Sequence, residues 1–213
     1  MRLRNIPGAE EALREYPVFV ADPAAFRGRW RDYFANNNPL HLEIGCGKGR
    51  FITSLAEQHP EINFIALEVK AEVLYRTAQR VGMRPVSNLA LVQANAAQLT
   101  DLFAENELER IYLNFSDPWP KRRHRKRRLT YATFLQMYKQ ILKPYGEIHF
   151  KTDNEGLFEF SLNQFSEQGF QLRHITFDLH RSEFAAHNVM TEYEERFASR
   201  GQRIYRTEAI NLP

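Results

Sequence analysis

The chain has 213 residues, enough for one well-packed domain and marginal for two. Its 43% hydrophobic and 13% aromatic content fit a globular protein; no apolar run approaches a membrane span, and Met1-Arg2-Leu3-Arg4 lacks the apolar core of a signal peptide. The single Cys46 excludes an internal disulfide and an all-Cys metal site, and a cytosolic location is expected; separately, no metal-binding residues are expected. The net charge of +3 hides an uneven distribution. Seven of the eight residues 121–128 are Lys or Arg, and outside that run 22 bases face 26 acids. Charge focused in this way favours a local polyanion site, with a merely solvated loop as the plain alternative.

In chain order, residues 1–25, with Pro7, Pro17 and Pro23, read as an N-terminal arm with little regular structure, ahead of a single domain over 26–213. Leu40 to Ile44 is short, apolar and followed by glycines, which predicts a buried strand. The next helix runs over 49–58, with Phe51, Ile52, Leu55 and Ala56 on one face. Strand 63–68, helix 70–81, strand 89–92 and strand 110–115 follow. Beyond the basic run, 131–142 has a helical period and Lys143-Pro144-Tyr145-Gly146 reads as a stop and turn. Then come strand 147–151, a helix over 155–167, and two more openly alternating strands at 170–177 and 201–208. This alternation predicts a Rossmann-like α/β fold: a seven-stranded, mainly parallel sheet, helices on both faces and an antiparallel edge.

Gly45-Cys46-Gly47-Lys48-Gly49 leaves a strand and opens a helix. Glycines allow a tight turn and close ligand approach, and the helix start offers free N–H groups. The GxGxG spacing is neither the dinucleotide fingerprint nor the Walker pattern. Glu43 precedes the loop, Glu68 closes the second strand, and Asn95-Ala96 follows the third. In a doubly wound fold these strand ends face one crevice, where a carboxylate binds ribose hydroxyls and an amide meets an adenine edge. Capping or surface acids are the plain alternative for Glu43 and Glu68. Ser116-Asp117-Pro118-Trp119-Pro120 places an acid and an aromatic in a turn stiffened by proline, directly before the cations. Trp119 either stacks on a base or packs beneath its own loop.

Residues 42–51 resemble motif I of class I S-adenosylmethionine-dependent methyltransferases. Together with Asn114 to Lys121, the basic run and Thr191-Glu192-Tyr193-Glu194, they resemble the bacterial tRNA (guanine-N7-)-methyltransferase family over about residues 40–205. The resemblance implies methyl transfer from S-adenosylmethionine to N7 of a guanosine in the variable loop of tRNA, by a cytoplasmic monomer or homodimer. It implies a donor site at Glu43, Gly45, Gly47, Gly49, Glu68, Asn95, Ala96 and Asp117, with Asp117 also the catalytic residue. It implies substrate contacts at Lys121, Asp153, Thr191, Glu192, Tyr193 and Glu194, and RNA contacts along Arg123, His124, Arg125, Lys126, Arg127 and Arg128. From the residues alone, Asp153 equally reads as a cap of the helix near 155, and Thr191 with Glu194 as an ordinary capping box. Two other functions stand beside this one: methylation of an exocyclic base amine, and an RNA-binding module that keeps the fold without the chemistry.

Overall fold

The computed structural model describes residues 6–213. In chain order it contains α1 (Ala9–Leu13), α2 (Trp30–Phe34), β1 (Leu40–Ile44), α3 (Arg50–Gln58), β2 (Asn63–Glu68), α4 (Ala71–Met83), β3 (Leu89–Gln93) and α5 (Leu99–Leu102). There follow β4 (Leu108–Asn114), α6 (Ala132–Ile141), β5 (Leu142–Thr152), α7 (Glu155–Glu167), β6 (Phe170–Thr176), α8 (Glu192–Ala198) and β7 (Tyr205–Asn211). The seven strands lie in the order β3-β2-β1-β4-β5-β7-β6. The first five run parallel, and β7 is antiparallel to both β5 and β6.

Side-chain alternation sorts each inner strand between two cores. Leu40, Leu42 and Ile44 of β1, Ile65 and Leu67 of β2, and Ala90 and Val92 of β3 face one layer, covered by α2, α5, α6 and α7. Phe64, Ala66, Leu89 and Leu91 face the other, against α3 and α4. Because both faces are covered, the central strands read as continuous apolar runs. Each fully buried Leu, Ile or Phe contributes roughly 1.5–3 kcal/mol, so the central sheet is a rigid base for whatever its strand ends carry.

Residues 6–25 differ from the expected irregular arm; residues 1–5 of that arm lie outside the described residues. Leu13 of α1 is fully buried in the core formed with α4. Val18 and Val20 pair with the outer edge of β3, through Leu91 N–H to Val18 O at 2.7 Å and Val20 N–H to Leu91 O at 2.9 Å. An edge strand left bare would invite pairing with another chain, and this segment covers it. The prolines break any sequence period, so only the tertiary contacts reveal the order. A second difference concerns residues 143–146, expected as a turn. They stay in β5, where the pairing with β4 shifts register between Leu108 and Arg110, and Tyr145 takes φ 64°. The bulge absorbs residues that the sequence pattern assigns to a turn.

The strand order reverses between β1 and β4, so the loops after these two strands diverge and leave a crevice at their carboxyl ends.

Candidate active site

Glu43 lies near the carboxyl end of β1 and is 2% exposed. Its Oε1 accepts a hydrogen bond from Asn114 Nδ2 at 2.9 Å, across the switch point on β4. Its Oε2 is buried without a partner among the described residues. Burial pushes the carboxyl up to about 8, against the opposing pull of the Asn114 bond and of Lys151. A carboxylate with an unmet oxygen is costly in a packed interior unless a donor or a cation arrives from outside.

The glycine loop supplies the opposite wall. Gly45 and Gly47 have φ values of 77° and 59°, and a Cβ added at either would meet nothing within 4 Å, so both border open space. Gly49 is confined instead: an added Cβ would lie 2.2 Å from Thr77 Cγ2. Glu68 braces the loop by accepting from Gly47 N–H at 3.3 Å, and its other oxygen accepts from Val69 and Lys70 N–H at 2.9 and 3.1 Å. The resulting cavity of about 410 Å³ is lined by Glu43, the loop, Phe51, Asn114 and Phe115, and by Thr191, Glu192 and Tyr193 of the segment opposite. Asn114, Phe51 and Phe115 also line the cavity; they lie inside the motifs at 42–51 and Asn114 to Lys121, but the sequence pattern gives them no role in the site. A signal for Asn114 exists, since a polar residue ends an apolar strand immediately before the Asp117 motif.

Asn95 and Ala96 stand after β3, away from this lining. Asn95 Oδ1 accepts from Ala97 N–H at 2.9 Å and Gln98 Oε1 accepts from Asn95 N–H at 3.2 Å, a capping box on a 3-10 turn. Its amide oxygen is thereby committed, while the exposed side chain keeps its N–H groups for a ligand.

Asp117 is exposed on the loop after β4, two residues beyond Phe115. Phe115 and Trp119 bracket it with φ of 53° and 41°, the left-handed region that bulky residues rarely occupy. Arg128 holds the loop in this form. Its Nε donates to Pro118 O at 2.9 Å, its Nη2 to Trp119 O at 3.3 Å, and its guanidinium lies 4.3 Å from the centre of the Phe160 ring. Arg128 is thus turned inward, unlike the exposed Lys121, Arg123, Arg125, Lys126 and Arg127 around it. Arg122 to Arg127 form a 3-10 helix. Trp119 packs against that turn, with the Arg127 guanidinium 4.9 Å over its ring and the His124 ring edge-on at 5.7 Å. Of the two readings of Trp119, packing with its own loop is the one observed.

Asp153 follows β5 and is not itself part of the cavity lining; its Oδ2 accepts from Oη of Tyr193, which does line the cavity, and from Gln202 Nε2, each at 3.0 Å. Burial and the Asp153 bond push the Tyr193 phenol up to about 12. The cap of α7 is Asn154, whose Oδ1 accepts from Leu157 N–H at 2.8 Å, so Asp153 is not the helix cap. Thr191 and Glu194 do form the capping box of α8, with Glu194 N–H donating to Thr191 Oγ1 at 2.9 Å. Thr191 still faces the cavity, whereas Glu194 is fully buried behind it. Glu192 pairs with Lys48, 3.6 Å away, and with Arg80, drawing α8 across the glycine loop. Elsewhere, Glu147, His149 and Glu208 bring possible ligand atoms within 4.8 Å of one another, but Arg110 and Arg206 already pair with the two carboxylates.

Two outcomes follow from this geometry. The Glu43 proton, held in the folded state up to about pH 8 but lost from the unfolded chain near pH 4.5, stabilises the fold at low pH, and that stability declines as pH rises between the two values. Glu43→Gln removes the decline. Its stability advantage over the wild type, read by urea unfolding, should therefore grow between pH 6 and pH 8 by about 2 kcal/mol, at roughly 1.4 kcal/mol per pH unit. A constant difference would show that Glu43 does not titrate in this range. Arg128→Ala should release the Asp117 loop, seen as a red-shifted Trp119 emission in a Trp30→Phe background; an unchanged spectrum would mean that Arg128 does not hold it.

A family model described as a putative methyltransferase matches residues 37–207. A tRNA (guanine-N(7)-)-methyltransferase of Brevibacillus brevis is 68% identical over 209 residues, covering 98% of each chain. Proteins of the same description from Enterococcus faecalis and a Geobacillus species are 54% and 52% identical, covering 98% and 100% of this chain and 98% and 97% of theirs. Among solved structures, the 16S rRNA methyltransferase KamB aligns with TM-score 0.66 at 14% identity, over 87% of this chain and 94% of its own. A 16S rRNA (adenine(1408)-N(1))-methyltransferase from Catenulisporales acidiphilia, solved with its cosubstrate SAM, aligns with TM-score 0.61 at 16% identity, over 91% and 93% of the two chains. These two likenesses concern the fold; the full-length identities go further, and on them the chain belongs to the tRNA (guanine-N(7)-)-methyltransferase family.

Proposed function

We propose that this protein transfers the methyl group of S-adenosylmethionine to N7 of a guanosine in the variable loop of tRNA, in the cytoplasm. The observation that carries the reading is a juxtaposition. An open glycine cradle with a buried, half-satisfied carboxyl group leads through Phe115 to the exposed Asp117, and from there to a turn of exposed cations. The cavity fits the donor: Gly45 and Gly47 leave room for close approach, and the unmet Glu43 oxygen suits a cationic ligand. Gly49, Glu68, Asn95 and Ala96 complete the donor side. When bound, the donor supplies a methyl group already activated on a sulfonium.

The residues then have mainly to align and to balance charge. Guanine N7 carries a lone pair and no proton, so the acceptor atom needs no general base. Positive charge grows on the imidazole half of the purine as the bond forms. Asp117, exposed and held in place by its loop, faces the base, accepts from its exocyclic amine or N1-H and offsets that charge. Lys121, Asp153, Thr191, Glu192 and Tyr193 border the acceptor side. Glu194 supports them from behind, because it is fully buried. Arg123, His124, Arg125, Lys126 and Arg127 lie along the phosphates, which positions an RNA without reading its bases.

The test is transfer of labelled methyl groups from S-adenosylmethionine to unmodified tRNA, followed by digestion to nucleosides. Label should appear in 7-methylguanosine, and chain cleavage at the modified base in intact labelled tRNA should place it in the variable loop. Label in an exocyclic-amine product would replace this reading with base-amine methylation, and donor binding without transfer to any RNA would leave only a binding module. Asp117→Ala should lower kcat at least about a hundredfold with tRNA binding nearly intact. Arg125→Ala with Lys126→Ala should do the reverse, reducing the salt slope of binding by about 1 for each phosphate no longer neutralised. A salt slope identical to that of the wild type would remove the turn from the RNA interface.

A further inference from the structure

A second cavity, of about 430 Å³, lies on the other side of Asn114 and Phe51, beneath the segment 184–189. Lys151, on β5 and 5% exposed, lines this second cavity and not the first. Its ammonium has three protons and uses all of them: Nζ donates to Asn188 Oδ1 at 2.9 Å, to Val189 O at 3.0 Å and to Glu194 Oε2 at 2.8 Å. Asn188 Nδ2 closes the ring by donating to Glu194 Oε1 at 2.6 Å. The same carboxylate accepts from Thr191 N–H at 3.4 Å. His180 Nε2 lies 3.2 Å from Glu194 Oε1 without the alignment of a hydrogen bond. The Phe51 ring lies 5.0 Å from the ammonium and shields it from the first cavity.

This ring ties the strap 188–191 and the start of α8 to the sheet. The other ties of α8 are the Tyr193 Oη–Asp153 hydrogen bond and ion pairs of Glu192 and Glu195 with Lys48, Arg80 and Arg50, all at least partly exposed. Pairs of that kind fix position weakly in water, whereas a buried pair with every donor and acceptor matched admits one arrangement. Thr191 and Tyr193, which line the reacting cavity, are the neighbours that this arrangement places. We propose that Lys151 is a positioning residue: with Glu194 and Asn188 it fixes the strap and α8, so that Thr191 and Tyr193 meet the tRNA, while Lys151 itself touches neither substrate nor donor. The inference rests on the methyl-transfer reading above, and it reassigns Glu194 from substrate contact to part of the lock.

Three variants test it. Asn188→Ala frees the strap side but keeps the buried ion pair; Lys151→Met keeps the aliphatic stem without the charge; Lys151→Met with Glu194→Gln removes both charges. The readouts are hydrogen exchange, melting temperature, and kcat and KM for tRNA. Asn188→Ala should melt close to the wild type, yet exchange faster across 188–194 and drop about tenfold in kcat/KM, since small misplacements of positioning groups are expensive. The double variant should melt higher than Lys151→Met alone, yet stay as impaired in transfer. Full activity in Asn188→Ala despite a loosened strap, or recovery of activity along with melting temperature in the double variant, would overturn the positioning role and leave a purely structural ion pair. If the wild type methylates no tRNA, the functional reading fails separately. The lock is then judged by exchange alone: Lys151→Met should expose 188–194 while β1 to β4 stay protected, and unchanged protection of 188–194 would refute it.

Discussion

A buried carboxyl group at the end of the central strand sets the terms for the rest of this molecule. Glu43 sits where β1 leaves the core, with one oxygen met by Asn114 and the other unmet. Such a group destabilises a fold, and it persists only where surrounding structure is firm enough to hold it. Here the firmness comes from β1 lying between β2 and β4, with Leu42 and Ile44 on either side of Glu43 almost wholly buried. The strand-order reversal opens the crevice, and the glycine loop leaves it roomy. The acidic residue in that crevice then has an oxygen without a hydrogen-bond partner and low dielectric around it, which makes a cationic ligand a good match.

The second constraint is mechanical. In the proposed reaction Asp117 acts only if its loop stays in a conformation that its neighbours disfavour, with Phe115 and Trp119 both at positive φ. The cationic run divides its work to meet this need. Arg128 turns inward to two backbone carbonyls, Arg127 and His124 flank Trp119, and the remaining cations face solvent. A dense basic segment is therefore part scaffold and part electrostatic surface. Arg suits the first task because its planar fork reaches two acceptors at once.

The parallel sheet is legible in the sequence because buried strands write themselves as apolar runs, as at 40–44, 63–68 and 89–92. The glycine loop and Glu43 are legible because strand, glycine and helix follow in immediate succession. What the sequence conceals depends on contacts between distant residues. The docking of residues 6–25 on β3 and α4 leaves no local period. The choice between Asp153 and Asn154 as helix cap turns on which side chain reaches Leu157, and the spacing of Thr191 and Glu194 is identical for a capping box and for a substrate motif. Lys151 carries no signal at all: a lysine in an apolar strand looks like a solvent-facing residue until the acceptors of 188–194 close over it.

The central claim is that the unmet Glu43 carboxyl is built to receive the positive charge of the methyl donor. Titration calorimetry of S-adenosylmethionine binding at pH 7, repeated in buffers of different ionisation enthalpy, measures it directly. With the carboxyl held up to about 8 in the free protein, arrival of the donor should expel its proton, so binding should release protons to the buffer. Glu43→Gln should abolish that release. Binding with no proton exchange, or with the same exchange in both proteins, would contradict the account.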